Sequence, residues 1–93
     1  MFYELKLTKA FKKGYKLAEK RGLNTDLLDE IVEQLQNDIT LDPKYRDHQL
    51  KGSLKDMREC HIEPNWLLVY KKDNGTLILT LVATGTHSDL FDM

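Results

Sequence analysis

The chain has 93 residues and carries 14 Lys and Arg against 15 Asp and Glu, so its formal net charge is −1. Its hydrophobic fraction of 41% and charged fraction of 31% are typical of one folded domain over residues 1–93 and exclude intrinsic disorder. Its apolar runs fall short of the roughly 20 residues that span a bilayer, and its near-neutral charge excludes a basic field over the whole molecule. Cys60, the single cysteine, cannot form an internal disulfide, so a reducing cytoplasm is the simplest compartment.

The first half of the chain predicts one strand followed by two helices. Residues 2–7 alternate weakly between apolar and polar side chains, which favours a short strand. Thr8 can cap a helix that ends at Gly22, because glycine is favoured just past a helix C-terminus. Asn24 or Thr25 can cap a second helix, which carries one apolar stripe.

The two predicted helices carry opposite charges. Residues 9–21 hold six bases and one acid, whereas residues 25–38 hold five acids and no base. Such runs are typical of two solvated helix faces that attract each other. The alternative interpretation is a basic face that binds phosphates.

The second half predicts a long loop followed by a three-strand meander. Residues 38–55 are rich in polar side chains, and a loop this long in a small domain is often functional. Turn sequences at 64–65 and 73–75 separate the apolar runs that follow. The predicted strands cover residues 57–62, 66–71 and 76–84. The order β-α-α-β-β-β predicts a two-layer α+β domain in which two N-terminal helices cover an antiparallel sheet.

Three histidines are the strongest candidates for chemistry. His48 lies in the long loop, His61 near a strand end and His87 just after the last strand. Loops and strand ends can meet at one rim of a meander, and imidazole both gives and takes protons near neutral pH. A pair or trio could therefore act on a phosphodiester. Three unrelated histidines are the simpler interpretation of composition alone, and an open zinc site is a third, although the spacing fits no metal motif.

Two aromatic residues and one arginine each have a structural and a functional interpretation. Trp66 and Phe91 either pack in the core or stack on a nucleobase. Arg58 either pairs with a carboxylate or holds a phosphate. Strand alternation places Glu59 on the same face as His61 and Arg58 on the opposite face. These residues alone leave the function open.

Three motifs carry a resemblance to a known family. They read YRDHQLKGS at 45–53, MRECHIEPNWLLVYK at 57–71 and TGTHSDLF at 84–91. In this order and spacing they resemble the YafQ-like branch of the RelE/ParE toxin superfamily. The resemblance implies a RelE-like fold and a type II toxin that cuts messenger RNA on the ribosome. It also implies inhibition by a cognate antitoxin in a heteromeric complex, with no membrane association.

The resemblance assigns roles to individual residues. It implies that His87 is the general acid for the leaving 5′ oxygen. His48 or His61 is the implied general base for the attacking 2′ hydroxyl. No metal or cofactor is expected. The residues expected to contact substrate are Arg58, Asn65, Trp66 and Phe91.

Two positions depart from the family's pattern. YafQ-like proteins commonly have an acidic residue before the tryptophan, where this chain has Asn65, and an arginine four residues before the last histidine, where it has Ala83. An arginine there would stabilise negative charge that grows on the phosphate, so its absence predicts weaker cleavage. The candidate substitutes are Arg58, Lys51, Lys55 or a group of the ribosome.

Two alternatives to a nuclease stay open at this point. A ParE-like toxin would act by binding a protein target without chemistry, and a small interaction domain would bind a partner or a metal. For a toxin of either kind, the basic run at 9–21 is the expected docking surface for a flexible, acidic antitoxin tail.

Overall fold

The computed structural model describes residues 2–91, which form five strands and three α-helices. The strands are β1 (Glu4–Leu7), β2 (His48–Gln49), β3 (Arg58–Glu63), β4 (Trp66–Asp73) and β5 (Ile78–Gly85). The helices are α1 (Lys9–Lys20), α2 (Thr25–Gln36) and α3 (His87–Phe91). Two 3-10 turns, Pro43–Tyr45 and Gly52–Leu54, interrupt the long connection between α2 and β3. The predicted α+β class is confirmed. Within residues 2–91, no helix is long and apolar enough to cross a membrane.

The five strands form one sheet in the order β1-β5-β4-β3-β2. The pairs β2–β3, β3–β4 and β4–β5 are antiparallel, and the last three strands form the predicted meander. The observed sheet differs from the predicted antiparallel sheet at β1, which runs parallel to β5. The reason is that β1 joins the rest of the sheet through two helices, and such a crossover leaves room for a parallel pairing that a tight hairpin forbids.

Two short elements, β2 and α3, were not predicted. β2 has two residues and α3 has five, so neither is long enough to show a periodic apolar pattern. Each carries one of the candidate histidines, His48 and His87.

The helix ends follow the predicted capping chemistry. The Thr8 hydroxyl accepts the Phe11 N–H at 3.0 Å and donates to the Val82 carbonyl at 2.6 Å, which ties the start of α1 to β5. Gly22 follows the C-cap residue Arg21 and adopts a left-handed conformation with φ of 74°. The N–H of Leu23 then donates to the Ala18 carbonyl, so the last turn of the helix is satisfied.

The helices α1 and α2 cover one face of the sheet and do not pack on the other. The core is formed by apolar residues of α1 and α2 together with Leu68, Tyr70 and other residues on one face of the sheet. Because side chains alternate along a strand, Leu67 and Val69 point to the opposite face. Their strand partners His61 and Glu59 share that face. It is called the open face below.

Gly14 sets the distance between α1 and β5. A Cβ atom placed on Gly14 would lie 2.3 Å from the Thr84 carbonyl oxygen. Alanine is normally favoured over glycine inside a helix by about 1 kcal/mol, but this overlap with backbone should outweigh that preference. We expect Gly14→Ala to lower the free energy of unfolding by about 1–3 kcal/mol, measured by urea denaturation. Lys13→Ala at the exposed neighbour is the control. Unchanged or greater stability of Gly14→Ala would contradict this close packing.

Candidate active site

The structure brings the three histidines together in a row. The ring centroids of His48 and His61 are 6.4 Å apart, and those of His61 and His87 are 6.1 Å apart. The Phe91 ring continues the row, 5.9 Å from His87. The three imidazoles, called the histidine row below, therefore lie close enough to act on one small group.

Strand pairing explains why these residues meet. β2 pairs with β3 so that His48 lies opposite Glu59, two residues before His61. His61 in turn lies opposite Leu67, whose partner on the other side is Gly85 at the end of β5. α3 begins two residues later with His87. The sheet register thus aligns three segments that are distant in sequence.

A buried carboxylate lies between two of the histidines. Glu59 is only 4% exposed, and its Oε1 atom lies 3.6 Å from the Nε2 atoms of both His48 and His61. The predicted placement of Glu59 on the same face as His61 is confirmed. A negative charge in this position stabilises a positive charge on either ring. The alternation of side chains along β3 does not reveal the contact between Glu59 and His48, because that contact depends on the pairing of β2 with β3.

A backbone contact fixes the orientation of the His48 ring. Its Nδ1 lies 2.7 Å from the Arg46 carbonyl oxygen, which can only accept a hydrogen bond. Nδ1 therefore carries the hydrogen, and Nε2 faces Glu59. Arg46 adopts a left-handed conformation with φ of 50°, which is uncommon for a residue with a side chain and costs free energy.

Arg58 anchors the segment that carries His48. Its Nε donates to Asp47 Oδ1 at 3.3 Å, and the Tyr70 hydroxyl donates to the same oxygen. Burial, followed by the hydrogen bond to Asp47, raises the pKa of Tyr70. Of the two predicted uses of Arg58, the structure shows the pairing with a carboxylate. Because Asp47 directly precedes His48, this network restrains the loop beside the histidine row.

Trp66 lies in the core rather than at the open face. It is 2% exposed, and its indole N–H donates to the Thr84 hydroxyl at 3.0 Å. That hydroxyl donates to the Leu67 carbonyl at 2.7 Å. Of the two predicted uses of Trp66, the structure shows packing in the core, and contact with the substrate stays a prediction. Trp66 supports the ends of β4 and β5 beneath the site.

Hydrogen bonds within its first turn and an ion pair with α1 hold the short helix α3 in place. Asp89 accepts the Thr86 N–H at 3.0 Å, and the Thr86 hydroxyl accepts the Asp89 N–H at 3.1 Å, which forms a capping box. Arg21 at the end of α1 binds the same Asp89 oxygen through Nη1 at 2.9 Å. The Arg21 guanidinium, followed by the Thr86 N–H, lowers the pKa of Asp89 to about 2. These contacts hold His87 over the open face.

The remaining expected residues differ in exposure. Phe91 is half-buried beside His87, whereas Asn65 is exposed in the turn between β3 and β4. Ala83 pairs with Val69 and therefore lies on the open face. A cationic side chain is thus missing from this part of the face, where the resemblance led us to expect one.

A metal site and a cysteine nucleophile are the two other kinds of site considered. Within residues 2–91, no group of three or more His, Cys, Asp or Glu side chains is arranged to hold a metal ion. Burial raises the pKa of the Cys60 thiol to about 12, so this thiol is a poor nucleophile at neutral pH.

Comparison with known proteins decides the family. The family model described as bacterial toxin of type II toxin-antitoxin system, YafQ, matches residues 3–92. The chain belongs to the YafQ toxin family. Among curated YafQ proteins, the mRNA interferase toxin YafQ of Escherichia coli strain K12 is 39% identical over 82 residues, which cover 87% of each chain.

Solved structures of similar toxins share the whole fold. YafQ in the E. coli DinJ-YafQ toxin-antitoxin complex is 35% identical, with a TM-score of 0.89 over 98% of this chain and 99% of that one. A metal-bound toxin from Helicobacter pylori is 44% identical, with a TM-score of 0.90 over 98% of this chain and 100% of that one. The fold implied by the sequence motifs is therefore confirmed.

Proposed function

We propose that this protein is the toxin of a type II toxin–antitoxin system and an endoribonuclease that cuts messenger RNA on translating ribosomes, in the cytoplasm. The observation that carries the proposal is the histidine row on the open face, with a buried carboxylate between two of its members. The similarity to an E. coli mRNA interferase toxin supports the same reaction class.

The first proton transfer is assigned to the pair of histidines that share Glu59. His48 or His61 takes the proton of the ribose 2′ hydroxyl and becomes positively charged. The Glu59 carboxylate, 3.6 Å from both Nε2 atoms, stabilises this imidazolium through its negative charge. The 2′ oxygen then forms a bond to the adjacent phosphorus.

The second proton transfer is assigned to His87. As the bond from phosphorus to the 5′ oxygen breaks, His87 donates a proton to that leaving oxygen. The products are a 2′,3′-cyclic phosphate and a 5′ hydroxyl. Each proton transfer typically contributes about 10²–10⁴-fold to the rate. The 6.1 Å between the His61 and His87 rings leaves both within reach of one phosphate.

Two further positions affect substrate binding and the rate without transferring a proton. The Phe91 ring beside His87 offers a surface for stacking a base of the message. Ala83 contributes no charge to the growing phosphorane, so cleavage by this chain should be slower than with an arginine there. Much of the positive charge near the message would come from the ribosome.

The proposed partner is a cognate antitoxin, by analogy with the DinJ-YafQ complex of E. coli. A groove of about 810 Å³ between α1, α2 and β1 is lined by exposed apolar residues such as Phe2, Leu5 and Leu7. Lys12 and Lys16 of α1 form its basic side. The side formed by α2 is acidic and includes Asp29 and Glu33. This surface suits an amphipathic antitoxin segment whose acidic side chains face α1.

A translation extract tests the proposed activity. The wild-type protein should truncate a reporter message when ribosomes are translating it and leave the same naked RNA intact. Addition of the protein encoded by the neighbouring reading frame should suppress the cleavage. A wild-type protein that neither slows growth on expression nor truncates messages in the extract would overturn the proposal.

A further inference from the structure

A second pocket opens beside the histidine row. It has a volume of about 290 Å³ and shares the His61 side chain with the row. Its other walls come from the 3-10 turn after α2 and from the turn between β3 and β4. The residues that line it are Lys44, Tyr45, Arg46, His61, Glu63 and Pro64.

Both walls of this pocket are held in place by the fold. On one side, Asp42 accepts the Lys44 N–H at 2.9 Å and caps the 3-10 turn, and the half-buried Tyr45 packs against the core. On the other side, the pairing of β3 with β4 shifts register between His61 and Glu63. Such bulges re-aim side chains next to functional sites. The pocket is therefore a fixed feature beside His61.

The charge of the pocket favours an anion. Lys44 and Arg46 are both exposed, and Glu63 is the carboxylate that faces them. Among the described residues, no carboxylate oxygen lies within 4.0 Å of a side-chain nitrogen of Lys44 or Arg46. Arg58, by contrast, forms an ion pair with Asp47. Two cations free of ion pairs thus lie next to the central histidine of the row.

Arg46 connects this pocket to the proposed catalytic residues. Its backbone carbonyl orients His48, while its side chain lines the pocket that contains His61. A guanidinium in this position can bind a phosphate through two hydrogen bonds.

We propose that Lys44 and Arg46 form a phosphate-binding subsite that holds a backbone phosphate of the message next to the one that is cleaved. The inference rests on the proposed function and names how the substrate is positioned. Lys44 and Arg46 are positioning residues, since they bind a phosphate other than the reacting one.

The test uses a single-stranded RNA decamer with a 2′-deoxy sugar at the cleaved position, which binds without reacting. We expect Arg46→Gln and Lys44→Gln each to weaken binding about 5- to 10-fold. Each should also reduce the slope of log affinity against log salt by about 0.7, the value for one lost contact to a single-stranded phosphate. Glu63→Gln should tighten binding, and Arg46→Lys should restore part of the loss.

Lys20→Gln, at an exposed base on α1, is the matched control and should change neither affinity nor slope. In the translation extract, Arg46→Gln should raise KM more than it lowers kcat. Wild-type affinity and slope in both pocket variants would overturn the subsite, even if the wild-type protein cuts messages. Failure of the wild-type protein to cut messages would instead overturn the proposed function, whatever the decamer shows.

Discussion

His87→Ala is expected to reduce message cleavage on translating ribosomes by about 10²- to 10⁴-fold. The His87 ring lies 6.1 Å from His61 and is held over the open face by α3, so its removal leaves the 5′ oxygen without a proton donor. His87 is exposed, and the substitution should leave the thermal unfolding midpoint close to wild type. The measurement is the initial rate at which truncated message appears.

Ser88→Ala, an exposed change on the same helix, is the matched control and should retain wild-type cleavage. Substitution of His48, His61 and His87 together by alanine should abolish both cleavage and growth inhibition. If growth inhibition survives this triple change, the protein acts by binding a target, as a ParE-like toxin would, and the nuclease proposal is wrong.

Glu59→Gln is expected to lower kcat by about 10- to 100-fold, with little effect on KM. Glutamine keeps the shape of the buried side chain but loses the charge that faces both Nε2 atoms. Two opposite unit charges about 4 Å apart near a protein surface attract each other by at most about 4 kcal/mol, and each 1.4 kcal/mol is a factor of ten in rate. Single-turnover cleavage in the translation extract measures this change.

Glu19→Gln makes the same chemical change at an exposed position on α1 and should have no effect on the rate. The unfolding free energy of both variants should be measured alongside, because Glu59 is buried. A wild-type kcat in a stably folded Glu59→Gln variant would show that the carboxylate does not assist the base.

The helices and the meander could be predicted because their signals are local. Thr8 and Gly22 mark the ends of α1 by side-chain and backbone chemistry that lies within a few residues of each end. The direction of β1 has no such local signal, since it depends on the path through two helices. β2 and α3 are set by their contacts with β3, Arg21 and the end of β5, which no short sequence pattern contains.

The candidate site could be predicted only in part for the same reason. Alternation along one strand was sufficient to place Glu59 beside His61. The second contact of Glu59, with His48, depends on a two-residue strand. The resemblance implied that Trp66 contacts the substrate, whereas its hydrogen bond with Thr84 on another strand, which accompanies its burial, cannot be read from the sequence. The pocket beside Arg46 likewise forms from two turns that are distant along the chain.

The chemical ends of the cleaved message test the central claim most directly, because they report which oxygen attacked the phosphorus. Mass spectrometry of fragments from the translation extract should find a 2′,3′-cyclic phosphate on the upstream piece and a 5′ hydroxyl on the downstream piece. Fragments with a 3′ hydroxyl and a 5′ phosphate would show attack by water from the other side, and histidines acting on the 2′ hydroxyl could not account for them.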